Sequence, residues 1–188
     1  MLKELSSVCY NMSMILPLVK VPNKVLSTPA KPVKQFDERL KKLVKDMAET
    51  LIAAKDPEGV GLAAPQVGVG LSLFVTRPDK RAKVREYINP KLLKIVDIPV
   101  EKKDDKTTLE GCLSVDRIWS PIERPQKVLL TYQTLDGEKH EEWFEGFKAV
   151  IMQHEVDHLN GILFTARAME QQSPLYEERN GELHEMKV

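Results

Sequence analysis

The chain has 188 residues, of which 42% are hydrophobic and 30% are charged. This balance is typical of one globular domain and excludes a disordered tail or a coiled-coil rod. The 28 Lys and Arg residues equal the 28 Asp and Glu residues in number, so the net charge gives no nucleic-acid signal. Two cysteines are too few for a disulfide framework, and no apolar run is long enough to cross a bilayer.

The first 20 residues lack the long apolar core of a secretory signal, and the first arginine is Arg39, so we expect a cytoplasmic protein. We divide the chain into an N-terminal extension over residues 1–15, which need not be ordered, a folded domain over 16–168 and a polar tail over 169–188. The tail has a slight acidic excess, and we expect it to be solvated and partly mobile.

The predicted elements begin after a proline-rich stretch over residues 17–35, which we expect to be extended and to wrap the core. Apolar residues at helical spacing predict an amphipathic helix over 36–54. Runs rich in apolar and β-branched residues predict strands over 71–76, 84–90 and 92–100.

Two further predicted strands, over 127–134 and 138–145, flank Asp136-Gly137, which indicates a two-residue hairpin turn. The apolar stretch over 147–164 predicts a long, largely buried helix. Because helices and strands do not alternate along the chain, the order favours a single-domain α+β fold. In that fold, antiparallel or mixed β-sheets pack around the C-terminal helix.

This C-terminal helix carries HEVDH over residues 154–158, an HExxH pattern. Positions i and i+4 lie on one helix face, so His154 and His158 can bind one divalent cation together. Glu155 follows the first ligand and can act as a general base on a water molecule there. The alternative is two core histidines hydrogen-bonded to neighbours, but burying two imidazoles and a carboxylate without a metal is costly.

A third metal ligand is needed, and the sequence offers two kinds. One class of metalloprotease continues the pattern to a third histidine, but Phe164 stands at that position. Another class uses a downstream glutamate, for which Glu170, Glu177 and Glu178 are available. Cys112 is the other candidate: alone it reads as a small buried side chain, but beside two histidines it can supply a thiolate and leave a position for water.

A glycine-rich segment, GVGLAAPQ over residues 59–66, follows the first helix. It lacks the ending of a phosphate-binding loop, and by itself it reads as a helix-to-strand connection. Its small residues would also allow a substrate backbone to approach closely, and an amide N–H of Gln66 could donate to a developing oxyanion.

Three segments of the chain, in this order, resemble the motifs GxGLAAxQ, EGCLS and QHExDHL of the peptide deformylase family. They stand here at Gly59–Gln66, Glu110–Ser114 and Gln153–Leu159. The similarity runs from Leu16 to Arg167, and three motifs in register are far more specific than HExxH alone. The resemblance implies a metal-dependent hydrolase that removes the formyl group from N-formylmethionine on new polypeptides, with residues 16–168 as the catalytic domain.

The resemblance also implies roles for individual residues. The implied metal ligands are Cys112, His154 and His158. Glu155 is the implied general acid and base. The implied oxyanion hole combines the Gln66 side chain with the backbone N–H of Leu113, and the backbone around Gly61 is implied to contact the substrate.

The family is commonly an Fe²⁺ enzyme that is isolated with other metals. We therefore expect one divalent ion per chain, Fe²⁺ in the cell. A thiolate and two imidazoles also suit Zn²⁺, Ni²⁺ or Co²⁺.

The methionine side chain of such a substrate requires an apolar pocket. Phe147, Val150 and Ile151 precede His154 by seven, four and three residues, on the same helix face. With Val60 they form the predicted pocket, although the alternative is that all four simply belong to the core.

Three polar residues complete the predicted site. Arg117 is a candidate contact for the peptide backbone of the substrate, and a plain solvated arginine is the alternative. Glu110 and Asp157 are candidates for orienting the ligands, and the alternative is an ordinary surface or capping carboxylate.

Two other functions stay open on the sequence. An HExxH metallo-endopeptidase would take its third ligand from Glu170 or beyond and would not need Cys112. A non-catalytic protein with a structural metal would need a fourth protein ligand, for which the sequence offers no candidate.

The chain departs from the family pattern at two places. Asp116 stands where the family often has proline, which would alter the loop entering the cleft. The tail lacks the basic helix with which some members dock on the ribosome. We expect N-formylmethionyl peptides, including ribosome-associated nascent chains, as partners, without a predicted docking mode and without nucleic acid or membrane.

Overall fold

The computed structural model describes residues 14–97 and 109–187. The predicted N-terminal extension therefore lies outside the described residues except for Met14 and Ile15, as does the end of the predicted strand over 92–100. No described helix has the length and apolar composition that a membrane span requires.

The described residues form an α+β fold, which confirms the predicted class. The helices are α1 (Glu38–Ala53), α2 (Phe147–Leu159) and α3 (Phe164–Glu170). The strands are β1 (Gly61–Ala63), β2 (Leu73–Thr76), β3 (Arg85–Val96), β4 (Glu110–Cys112), β5 (Val115–Ser120), β6 (Lys127–Gln133), β7 (Lys139–Glu145), β8 (Tyr176–Arg179) and β9 (Glu182–Glu185). They pair antiparallel in two sheets, in the orders β1-β2-β3-β6-β7 and β4-β5-β8-β9.

The five-stranded sheet separates two apolar layers. Side chains alternate between the faces of a strand, so Leu73 and Val75 of β2 join the layer under α1 while Phe74 joins the layer under α2. Asp37 caps α1 by accepting hydrogen bonds from two backbone N–H groups of its first turn. Nine of the thirteen residues of α2 are buried, so this helix carries His158 inside the protein and His154 at a partly buried position.

The four-stranded sheet brings a third apolar cluster to α3. Cys112 of β4, Val115 of β5 and Phe164 of α3 are buried together. The cluster joins the smaller sheet to α3, and Cys112 at the end of β4 also contacts His158 of α2.

The tail contains more regular secondary structure than its composition predicts. The hairpin β8–β9 extends the smaller sheet, because Tyr176 of β8 pairs with Trp119 of β5. The Ser120 hydroxyl also donates to the Pro174 carbonyl at 2.8 Å. Strand β9 is exposed along its length, which explains why its polar sequence resembles a solvated end.

The predicted helix over 147–164 is wrong at its C-terminal end. Helix α2 ends at Leu159, and α3 begins separately at Phe164. Between them Gly161 has a φ of +73°, and a Cβ there would lie 2.8 Å from the Ser27 carbonyl carbon and 2.9 Å from the Thr28 nitrogen. The apolar pattern continues through this turn, so hydrophobic periodicity alone hides the break.

Two predicted strands, over 84–90 and 92–100, are one strand instead. Strand β3 runs through Pro90 with shifts in its register against β6 on both sides of Lys91 and Leu92. Asn89, at a φ of +49°, donates its side-chain N–H to the Val33 carbonyl at 2.9 Å. A side chain that fixes the irregularity lets the strand continue past a proline.

The predicted hairpin of β6 and β7 is confirmed, but its turn is longer than two residues. The last paired residues are Gln133 and Lys139, and the Thr134 N–H donates to the Glu138 carbonyl at 3.0 Å. Gly137 has a φ of +80°, so Asp136-Gly137 forms part of a wider loop with a left-handed glycine.

The proline-rich stretch before α1 wraps the core as predicted. Its backbone reaches all three motif segments through hydrogen bonds of 2.8, 3.1 and 2.8 Å: Val19 N–H to the Gln66 carbonyl, Val21 N–H to the Ser114 carbonyl, and Ala30 N–H to the Leu159 carbonyl. Segments that are far apart in sequence are thus held by one stretch of backbone, which also contains a 3₁₀ helix over Lys24–Ser27.

We expect Gly161→Ala to destabilise the protein more than Gly181→Ala. Both glycines have positive φ, but a Cβ at Gly181 meets no atom within 4 Å. Left-handed backbone costs a non-glycine residue about 1–2 kcal/mol, and crowding adds roughly 1–3 kcal/mol at Gly161. Chemical denaturation of both variants measures the difference, and equal losses would show that the contact with Ser27 and Thr28 is easily relieved.

Candidate metal centre

Three metal-ligand side chains converge where β4 meets α2. Cys112 ends β4, while His154 and His158 lie one turn apart on α2. Their candidate donor atoms all lie within 4.8 Å of one another, and Cys112 Sγ lies 3.2 Å from His158 Nε2. The structure therefore brings together the three residues predicted as ligands.

The neighbouring imidazoles favour the deprotonated form of Cys112, which is the form that binds a metal. Burial opposes ionisation of the Cys112 thiol, but the imidazoles of His158 and His154 outweigh it and lower the thiol pKa to about 5. Burial likewise opposes a charge on His154, yet Cys112 and Glu110 hold its pKa well above the ordinary value. The site thus stabilises a thiolate, the form of cysteine that binds metals.

A buried carboxylate orients the first histidine. Glu110 accepts a hydrogen bond from His154 Nδ1 at 2.6 Å. The other ring nitrogen, Nε2, is therefore the one available to bind a metal on the side of the cysteine. Burial raises the Glu110 pKa, but Arg124 and His154 outweigh it and lower the pKa to about 2. The prediction that Glu110 orients a ligand agrees with this contact.

Arg124 links this carboxylate to the next acidic residue of α2. Its guanidinium donates to both Glu110 oxygens, at 2.6 and 2.7 Å, and to Asp157 Oδ2 at 2.9 Å. Arg167 reaches Asp157 from the other side at 2.7 Å. Asp157 therefore contacts Arg124 rather than either histidine. Arg124 was not predicted from the sequence, although two acids placed beside buried histidines favour a nearby cation.

Glu155 lies in the wall of the cavity beside the first ligand. Burial raises its pKa to about 7, against the opposing charges of His154 and His158. A carboxyl group with a pKa near neutrality can both take up and return a proton. Gly61 makes room for it, because a Cβ on Gly61 would lie 2.1 Å from Glu155 Oε1.

Gln66 and Leu113 lie next to the cysteine, as predicted for an oxyanion hole. The Gln66 side-chain oxygen accepts the Ala63 N–H at 2.8 Å, which fixes the amide so that its Nε2 points at Cys112 Sγ, 3.5 Å away. Leu113 follows Cys112 directly, and its carbonyl accepts from Lys20 at 2.7 Å. Lys20 also pairs with Asp116, the residue that departs from the family pattern.

A cavity of about 330 Å³ opens from this cluster. All four predicted pocket residues line it: Val60, Phe147, Val150 and Ile151. Trp119, Ile122 and Gln126 also line it, and they were not predicted from the sequence because they lie outside the three motifs. Arg117 does not line the cavity, and its exposed side chain lies 3.5 Å from Glu178.

The glutamates considered as protease-type ligands lie elsewhere. Glu170 pairs with Arg167, Glu177 pairs with Arg179, and Glu178 accepts the indole N–H of Trp119. One thiolate and two imidazoles with an adjoining cavity fit a divalent transition metal that keeps a position open for water.

Comparisons with known proteins match most of the chain. The profile of the Polypeptide deformylase family covers residues 15–174. Peptide deformylase 1 of Bacillus cereus is 42% identical over 153 residues, which are 81% of this chain and 92% of the relative. The crystal structure of peptide deformylase from Thermotoga maritima has a TM-score of 0.70 at 40% identity and covers 83% of this chain and 98% of that chain.

The Met-Ala-Ser-bound structure of the class I type b enzyme from Acinetobacter baumannii has a TM-score of 0.71 at 36% identity, covering 83% of this chain and 99% of that chain. The family profile spans the glycine-rich segment as well as β4 and α2, the two elements that assemble the Cys112–His154–His158 cluster. The chain is therefore a member of the peptide deformylase family of hydrolytic metalloenzymes.

Proposed function

We propose that the Cys112–His154–His158 cluster is the catalytic metal site with which this chain removes the N-formyl group from N-formylmethionyl nascent peptides and releases formate. The observation that carries the proposal is the placement of this donor set beside a buried carboxylate at the wall of a cavity. An HExxH endopeptidase is not favoured, because the glutamates it would use are engaged in other contacts.

The protein residues have distinct tasks in this reaction. A bound divalent ion supplies Lewis acidity and activates water. Glu155 takes a proton from the attacking water and returns it to the leaving amine, which its pKa of about 7 allows. The Gln66 side-chain N–H and the Leu113 backbone N–H donate to the oxygen that gains negative charge when the formyl carbon becomes tetrahedral.

Two sheet edges flank the cavity and suit a peptide substrate. Among the described strands, β1 is an edge strand of the larger sheet and β4 is an edge strand of the smaller one. Residues of both strands line the cavity. Such edges carry backbone groups that can pair with an extended peptide. The methionine side chain enters the apolar part formed by Val60, Phe147, Val150 and Ile151, and the Gly61 backbone contacts the substrate.

The identity of the ion and the place of action are parts of the same proposal. We favour one Fe²⁺ per chain, with Zn²⁺, Ni²⁺ or Co²⁺ as ions that the same donors accept. We place the activity on ribosome-associated nascent chains in the cytoplasm. Arg117 remains proposed as a contact for the more distant part of the peptide, since it lies outside the cavity lining.

Glu155→Gln tests the reaction and the role of this carboxylate. We expect the variant to bind one metal per chain after anaerobic purification but to release formate from formyl-Met-Ala-Ser about 10²–10⁴-fold more slowly than wild type. Glu58→Gln is the matched control, because Glu58 also lines the cavity but is exposed and pairs with Lys80. If fully metal-loaded wild type released no formate, the proposed function would be wrong, and peptide-bond cleavage would be measured next.

Cys112→Ala separates the deformylase from the endopeptidase reading. Substitution of a residue that only hydrogen-bonds to a metal ligand already costs about 10–100-fold in metal affinity. Loss of the Cys112 thiolate itself should therefore weaken metal binding by more than roughly 100-fold and abolish formate release. Cys9→Ala, which removes the other cysteine, should retain both. Metal analysis after dialysis measures the difference, and a metal-bound Cys112→Ala protein would favour a different ligand set.

Gly61→Ala tests the contact between the glycine-rich segment and Glu155. An added Cβ would displace the carboxylate, so we expect kcat to fall about 100-fold with metal content unchanged. Gly70→Ala is the control, because a Cβ at Gly70 meets nothing within 4 Å. Unchanged kcat in Gly61→Ala would show that Glu155 can shift without loss of function.

A further inference from the structure

The second sheet contains a glycine covered by an indole ring. Gly111 of β4 and Trp119 of β5 are register partners across the strand pair. A Cβ on Gly111 would lie 2.6 Å from Cε3 and Cζ3 of Trp119, so the six-membered part of the indole occupies the space above Gly111. Both residues line the cavity that leads to Cys112.

The position of this ring follows from sheet geometry. In the part of the chain that the structure describes, β4 has a paired neighbour only on the β5 side. Residues opposite one another on adjacent strands point to the same face of a sheet. A peptide strand paired with the free edge of β4 would therefore place one side chain on the face of Trp119. Since Gly111 has no side chain of its own, the peptide side chain opposite Gly111 would contact the indole directly.

The C-terminal hairpin fixes the indole before any peptide arrives. Trp119 Nε1 donates to Glu178 Oε2 on β8 at 3.1 Å, and the Trp119 backbone pairs with Tyr176 on the same strand. Glu178 Oε1 also lies 3.5 Å from Arg117. An aromatic side chain held at both its backbone and its ring nitrogen loses little further freedom when it binds a ligand.

We infer that Trp119 is a specificity-determining residue that contacts the peptide side chain opposite Gly111, beyond the N-terminal methionine. The indole favours an aliphatic or aromatic side chain at that position over glycine or aspartate. Glu178 is a positioning residue, because it acts through the orientation of Trp119. This inference rests on the proposed function, since it concerns how the same cavity selects among peptides.

Formate release from two peptide series tests the inference. The substrates are formyl-Met-X-Ser and formyl-Met-Ala-X, in which X is Gly, Asp, Leu or Phe. For one series we expect wild-type kcat/KM to rise about 10-fold or more from Gly to Phe, mainly through a lower KM. In Trp119→Ala the ratio of kcat/KM for the Phe peptide to kcat/KM for the Gly peptide should fall to about 2 or less. The control Trp143→Ala, which changes an exposed tryptophan, should keep the wild-type ratio.

Further variants keep the test decisive if Trp119→Ala folds poorly. Trp119→Leu keeps apolar volume over Gly111 but shortens the contact surface, so it should reduce the ratio in a folded protein. Glu178→Met removes the acceptor for the indole N–H and should reduce the ratio partly. In a Trp143→Phe background Trp119 is the only tryptophan, and its fluorescence anisotropy should fall when Glu178→Met frees the ring.

The outcomes separate this inference from the proposed function. An unchanged Phe-to-Gly ratio in both Trp119 variants, or a wild type without preference in either series, would overturn the role of Trp119. If wild type released no formate from any peptide, the deformylase function would be wrong. The role of Trp119 would then be tested by measuring peptide binding through Trp119 fluorescence. In that case, in the Trp143→Phe protein, saturable quenching of Trp119 by Met-Phe-Ser or Met-Ala-Phe that is weaker with the glycine peptide of the same series would support it. No quenching, or quenching equal to that of the glycine peptide in both series, would reject it.

Discussion

A buried cluster of ionisable groups needs its own compensating charges, and this requirement governs how the two sheets and α2 meet. Cys112 and His154 cannot be buried without partners, because each charge taken from water must be offset by a nearby opposite charge or hydrogen bond. The imidazoles offset the Cys112 thiolate, and Glu110, paired with Arg124, offsets His154 from the smaller sheet and the segment after β5. The cluster is thus stable only when the smaller sheet is docked against α2.

At both edge strands that flank the cavity, a glycine leaves space for a side chain from another element. At Gly61 the space of a missing side chain is taken by the Glu155 carboxylate, and at Gly111 it is taken by the Trp119 ring. In each case a side chain from another element lies directly against the backbone of an edge strand. A peptide pairing with these edges would therefore meet Glu155, the proposed general base, on one side and the Trp119 ring on the other.

The predictable part of the site is the part encoded in short sequence patterns. The spacing of His154 and His158 follows from one helical turn, and Cys112 enters through its motif. Arg124 and Trp119 were missed, because their contacts depend on how separate segments pack and leave no periodic signal. The break at Gly161 was missed for the same reason: its cause is the backbone of Ser27 and Thr28, far away in sequence.

The backbone bonds of the proline-rich stretch have a consequence for synthesis of the chain. Val19, Val21 and Ala30 leave the ribosome first, but their partners at Gln66, Ser114 and Leu159 follow much later. The Ala30 N–H must therefore wait for its native partner until α2 has been made, and a rapid local collapse cannot complete the fold. Because His154 and His158 also lie on that late helix, a growing chain has no Cys112–His154–His158 cluster until the helix is complete.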